Sequence, residues 1–197
     1  MIQVHVINDA NRHLYERELD EHHQIRHRIY MVYLLALDEG RVVGGLRLVP
    51  TTGPHLIADV FPHFASIQGV PRGPDIAEWT RIFVVPERRE EHSSAKIRST
   101  VVASMLDYAL REGVSAISVL MNAFWLPKFQ ECGWRARPLG LPDMHDGEWL
   151  IAVLVDVTPE ALAGQRAARG LSPQSVLVHR DPYRPFIPGR TDVPAVA

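Results

Sequence analysis

A single cysteine, Cys132, stands in 197 residues, so no disulfide can close within the chain. Long apolar runs are missing too: the stretches around 31–37 and 149–155 fall far short of the roughly 20 residues a membrane helix needs. Charge of one sign is also lacking. With 21 Lys+Arg against 23 Asp+Glu, the formal charge of -2 creates no bulk field that would gather nucleic acid or an anionic membrane. The start, MIQVHVINDANRH, has neither the basic region nor the apolar stretch of a secretory leader. These absences point to a soluble cytoplasmic protein with no nucleic-acid or membrane partner, and they say nothing of its oligomeric state.

Several chemistries are excluded by missing motifs. There is no GxSxG, no cysteine pair for zinc, no HExxH and no GxxxxGK[ST]. No prosthetic group is expected. His23 and His27 have the i, i+4 spacing of a metal pair, but no third ligand accompanies them, so no metal site is assigned.

What is present is enough apolar material, 46% of residues, to build one ordinary core. We read residues 1–170 as one domain, and 171–197, with Pro173, Pro182, Pro185, Pro188 and Pro194, as a wrapping or loose tail. Alternating Ile2, Val4 and Val6 predict a strand, and 12–30 one or two amphipathic helices. VYLLALDEGRVVGGLRLVP then reads as a hairpin turning at DEGR. Only about one residue separates this hairpin from the preceding helix, where connections run to roughly 2 to 6. PTTGP is a turn, HLIADVFPHF a short helix interrupted at Pro62, and DIAEWTRIFVV a strand. A helix follows over about 93–111, with Ile97, Val101, Val102, Met105, Leu106, Ala109 and Leu110 on one face and Gly113 ending it. VSAISVLM and GEWLIAVLVDV are strands, NAFWLPKFQECGW a short helix and WRARPLGLP an extended piece. The last helix is capped by Thr158, with Pro159 in its first turn. Hairpins before a central strand and crossover helices after it give an α/β fold: three αβα layers around a mixed, mostly antiparallel sheet.

Glu78 and Arg81 lie in an otherwise apolar strand, an expensive place for charge unless it is paired or used. The structural alternative is an ion pair at a sheet edge. In a regular strand, residues three apart face opposite ways, so Glu78 sides with Thr80 and Arg81 with Trp79, and both reach one pocket only across a bulge. Arg47, between Leu46 and Leu48, is either a carboxylate clamp or the solvent-facing member of an alternating strand. Arg26 is either a solvated helix position or a ligand contact. Cys132 reads as a small buried side chain rather than a nucleophile.

Taken together, IRHRIY (25–30), YLLALDEGRVVGGLRLVPTTGPHLIADVFP (33–62) and EWTR (78–81) resemble the acyl-homoserine-lactone synthases of bacterial quorum sensing, which have a fold akin to the GNAT-type N-acetyltransferases. The resemblance runs from about residue 2 to about 157. It implies transfer of an acyl group from acyl carrier protein or coenzyme A to the amine of S-adenosylmethionine, then lactone closure with loss of methylthioadenosine. An N-acyltransferase for another amine and a non-catalytic ligand-binding relative are the alternatives. The resemblance also implies that Arg26 and Tyr30 border the adenosylmethionine site, Arg47 belongs to the charged cluster at the reaction centre, Glu78 is the base and Arg81 its ion-pair neighbour. Phe83, Met121, Phe124 and Trp125 join the substrate-binding set, with Leu126 beside them; bulky aromatics at 124 and 125 are also ordinary core residues. Arg88, Arg89, Lys96, Arg98 and Lys128 form a candidate patch for an acidic carrier protein, or simply a solvated helix face. Two departures stand out. The family's loop with a Trp and two acidic residues has no counterpart between Tyr30 and Tyr33, and VPERREEHSS replaces the glycine-rich pyrophosphate loop of ordinary N-acetyltransferases.

Overall fold

The computed structural model describes residues 12–14, 16–17, 31–88, 93–178 and 186–187. By contacts the chain divides into two compact units, Met1–Met31 and Val32–Ala197. In the first unit a 3-10 turn, Arg12–Leu14, a helical pair at 16–17 and Met31 are described; the strand expected at 2–6 and most of the helical segment expected over 12–30 lie outside the described residues.

The second unit carries a seven-stranded sheet: β1 (Val32–Asp38), β2 (Arg41–Pro50), β3 (Ile76–Val84), β4 (Ala116–Asn122), β5 (Ala136–Pro138), β6 (Asp143–His145) and β7 (Glu148–Asp156). Their order is β1-β2-β3-β4-β7-β5, with β6 also on β7. All pairs are antiparallel except β3 with β4. A parallel pair needs a long crossover, and the helix expected near 93–111 supplies it as α2 (Ser93–Glu112). The other helices are α1 (Leu56–Asp59), α3 (Leu126–Glu131) and α4 (Pro159–Ala168).

Local chemistry explains the boundaries. Glu39 and Gly40 both have positive φ, 48° and 79°, which is what a two-residue hairpin turn demands. Thr158 accepts a hydrogen bond from Ala161 N at 3.1 Å, so the expected cap of α4 forms. The pair β6–β7 was not anticipated, although Asp146 and Gly147 at its turn also take positive φ and carry the Asp-Gly hairpin signal.

One face of the sheet is covered by α2, α3 and α4. Its core holds Leu46, Leu48, Trp79, Met105, Leu106, Ile117 and Val153. A smaller core on the opposite face, Ile57, Phe64, Ala65, Leu139 and Ala152, packs beneath α1 and the 3-10 turn Pro62–Ala65. The result is the expected three-layer, mostly antiparallel αβα arrangement. Phe186, from the Pro-rich tail, is buried in the larger core edge-on to Tyr108, and its N–H donates to Glu112 Oε2 at 2.8 Å. No helix among the described residues is long and apolar enough to cross a membrane.

Candidate active site

The ladder between β3 and β4 runs only from Ile76/Ala116 to Trp79/Val119, yet the strands continue to Val84 and Asn122. They therefore diverge, and a cavity of about 600 Å³ occupies the split. Trp79, Val119, Met121, Phe129 and Trp134 give it an apolar interior. Arg81, Arg98, Lys128 and Arg169 also line it; Lys128 is half-buried and the other three are exposed, which places this basic set toward its mouth.

What spreads the strands is visible in the β2–β3 register. Gly45 faces Phe83 and Arg47 faces Thr80, so Arg81 and Ile82 together stand opposite Leu46 alone. That is a bulge on β3, and Arg81 absorbs it at φ 60°, a conformation costing a non-glycine residue about 1–3 kcal/mol. A bulge is thus present on β3, one residue beyond Thr80, yet Arg81 still lines the same cavity as Trp79.

The sequence profile of the autoinducer synthases matches residues 14–163. The chain belongs to that family. The isovaleryl-homoserine lactone synthase of Bradyrhizobium diazoefficiens is 37% identical over 183 residues, covering 81% of this chain and 82% of the relative. Among solved structures, the CoA-dependent acyl-homoserine lactone synthase BjaI with SAM and isopentyl-CoA is 36% identical, with a TM-score of 0.66 over 86% of this chain and 89% of its own. The CoA-dependent synthase MesI is 34% identical, with a TM-score of 0.66 over 86% and 96%. The GNAT-like acyltransferase fold is therefore shown as well as expected.

Within this autoinducer-synthase frame, Glu78, Thr80 and Arg47 share the α1 face of the sheet, because Arg47 pairs with Thr80 and Glu78 lies two residues before it on β3. Arg47 is half-buried and its Nε donates to Thr80 Oγ1 at 2.8 Å, so it is not the freely solvent-facing residue that strand alternation allows. Glu78 is fully buried. Its carboxylate accepts from Ile57 N, at 3.1 Å to Oε1 and 3.4 Å to Oε2. Burial pushes its pKa above the ordinary carboxylate value, opposed by the Ile57 N–H, nearby His55, the Leu56 N–H and Arg47.

One expectation needs correcting. Glu78 and Arg81 form no ion pair: Arg81 lines the cavity with Trp79, while the Glu78 carboxylate is held by the Ile57 N–H of α1. The charges that bear on the carboxyl are those of His55 and Arg47.

Phe83, Met121 and Trp125 line the cavity. Phe124 does not. It is exposed, with its ring 4.9 Å from that of Trp125. Leu126 is partly buried against the larger core. Lys128 Nζ lies 4.6 Å and the Arg98 guanidinium 5.7 Å from the Trp125 ring centroid, so two members of the basic patch converge on one aromatic wall. Arg26, Tyr30 and Arg89 lie outside the described residues, as do His22, His23 and His27. Among the described residues no His/Cys/Asp/Glu group is arranged to hold a metal.

Sequence reasoning gave no role to His55, Thr80 or Trp134. Cys132, read as a small buried side chain, is buried and also lines the cavity. His55 directly follows PTTGP, the only local signal it carries. Its Nε2 and Trp134 Nε1 are the buried side-chain polar atoms without a hydrogen-bond partner among the described residues.

Proposed function

We propose that this chain synthesises an acyl-homoserine lactone for quorum sensing in the cytoplasm, joining the acyl group of an acyl-CoA to the amine of S-adenosylmethionine and closing the lactone with release of methylthioadenosine. In this reading residues 1–170 are the catalytic domain and 171–197 its Pro-rich tail. The observation that carries the proposal is the split between β3 and β4, which opens an apolar cavity beside the strand bearing a buried carboxylate. The relatives described as CoA-dependent support coenzyme A as donor. So does the chemistry at the cavity mouth, where Arg81, Arg98, Lys128 and Arg169 suit the phosphates of that carrier.

An ammonium cannot attack a thioester until it loses a proton. Glu78, with a pKa raised by burial, is suited to take it at neutral pH. Arg47 fixes the neighbouring Thr80 hydroxyl and stabilises the carboxylate form electrostatically. The thioester enters between the diverging strands, where backbone amides of β3 beyond the ladder's end face the developing oxyanion. Collapse of the tetrahedral intermediate expels the thiolate. The substrate carboxylate then displaces the sulfonium leaving group, a step that needs mainly proximity.

The test is to incubate the protein with S-adenosylmethionine and a series of acyl-CoA and acyl-carrier-protein donors and to measure methylthioadenosine. Release with at least one donor is expected; none with any donor refutes the proposal. A second reading, an N-acyltransferase for another amine, is favoured by the short junction from Tyr30 to Tyr33. Calorimetric binding of S-adenosylmethionine decides between them.

A further inference from the structure

The interior of the cavity between β3 and β4 is mostly apolar, and a polar group set in such a wall is costly unless something bonds to it. Two polar side chains stand there nonetheless: Trp134, 4% exposed, and Gln165, 5% exposed. Thr80 and Asn122, also in the lining, are engaged. Arg47 Nε donates to the Thr80 hydroxyl, while the Asn122 amide donates to Glu148 and accepts from the Phe124 N–H.

Gln165 and Trp134 each keep one polar atom open. Gln165 Nε2 donates to Ser99 O at 3.4 Å; because a carbonyl oxygen only accepts, this fixes the amide and turns Oε1 the other way. That oxygen accepts no hydrogen bond among the described residues, yet it is not sealed from solvent, so in a cavity-lining residue it opens on the cavity. Trp134 Nε1–H has no acceptor, which is rare for a buried donor and calls for one. Its ring packs on Phe129, centroids 4.6 Å apart, and Phe129 stacks on Trp79, so the donor is held in place by a row of aromatic rings. Chain geometry brings the two side chains together. At Gly164, α4 rests on Cys132 O and Gly133 N too closely for any side chain between; Gln165 follows Gly164, and Trp134 follows Gly133.

A donor and an acceptor left open at one contact are the complement of a single ligand group, a hydroxyl, which accepts and donates at once. Resting on the proposed synthase reading, we infer that this cavity selects an acyl-CoA whose acyl chain carries a hydroxyl, Trp134 Nε1–H donating to its oxygen and Gln165 Oε1 accepting from its O–H. A carbonyl on the chain satisfies only Trp134, and a plain hydrocarbon satisfies neither. The plain chain therefore leaves two polar groups unpaired in a dry wall, and discrimination against it comes from that cost rather than from shape.

The test measures binding without turnover. CoA thioesters of hexanoic and octanoic acid, plain or with one hydroxyl at successive chain carbons, are titrated into the full chain by calorimetry. At least one hydroxy isomer is expected to bind about 10- to 100-fold more tightly than its plain counterpart. That ratio is expected to fall toward unity in Trp134→Phe, which keeps a ring and loses the N–H, and in Gln165→Leu. Because the readout is a ratio, a general loss of affinity in a variant does not count. Equal affinities for plain and hydroxy chains, as a water held by the two groups gives, overturn the inference; so does a preference that survives both substitutions. The indole N–H resonance of Trp134 supplies an arm in the native protein. It is expected to move downfield with the preferred hydroxyacyl-CoA and not with the plain thioester, and the same shift with both overturns the inference. Absence of methylthioadenosine with every donor defeats the synthase reading instead, and the affinities still decide whether the cavity reads a hydroxyl.

Discussion

The two faces of one sheet do different work here. The face under α2, α3 and α4 is apolar, anchored by Leu46, Leu48, Trp79, Ile117 and Val153, and the cavity between the diverging strands opens on it. The face under α1 holds Glu78, Thr80, Arg47 and His55 between a much smaller set of apolar side chains. The first offers an apolar surface whose burial removes area from water, as the proposed binding of an acyl group would use. The second holds a carboxyl in a dry setting with a few fixed donors, where its proton affinity can be tuned. Two residues one position apart on β3, Glu78 and Trp79, thus serve opposite roles because successive strand side chains point to opposite faces.

The comparison is broken most severely by Glu78→Gln. Methylthioadenosine release is expected to fall about 10²- to 10⁴-fold, the range of general-base contributions, while acyl-CoA binding measured by calorimetry stays within about twofold. The sign of the pH effect on stability follows from the raised pKa of Glu78. Between the unfolded and folded pKa values the native state binds more protons, so stability falls as pH rises through that window. Glu78→Gln removes this dependence, so melting temperatures of variant and native protein are expected to diverge in the variant's favour from pH 4 toward neutrality. A constant difference across pH would contradict the assigned shift.

Gly164→Ala strikes the other face. A Cβ there would sit 2.2 Å from Cys132 O, a backbone atom that cannot swing away, so α4 must shift from the cavity wall. A loss of about 1–3 kcal/mol in urea denaturation is expected, with α4 residue Gln165 and the following Arg169 displaced from the cavity wall. Met121→Ala is milder. It enlarges the cavity without touching Glu78, and the preference in kcat/KM for a longer acyl-CoA over a short one is expected to rise about tenfold. Smallest of all, Arg88→Ala removes an exposed 2.9 Å ion pair with Asp38, away from both sites. A stability change under about 1 kcal/mol and unchanged turnover are expected.

Much of the scaffold was legible in the sequence because its signals are local. Positive-φ residues at Glu39–Gly40, the apolar stripe of α2 and the Thr158 cap each act within a few residues of where they are read. Glu78 was legible for another reason: a carboxylate in an apolar strand is costly whatever surrounds it. The partnerships were not legible. Arg47 meets Thr80 across 33 residues and Ile57 meets Glu78 across 21, and no local pattern encodes such distances. The expected pairing of Glu78 with Arg81 failed although β3 is bulged at Arg81, a feature visible only in the register against β2.

By itself, the sequence determined the order of elements, the family and the costly charge on β3, because propensity, capping and burial cost are properties of residues and near neighbours. Tertiary structure alone decided where the β3–β4 ladder stops, that a bulge at Arg81 breaks the β2–β3 register, and that the Ile57 N–H holds the buried Glu78 carboxylate. Register and proximity between distant segments arise only when those segments pack, and it is that packing that separates an apolar cavity face from one that buries a carboxyl.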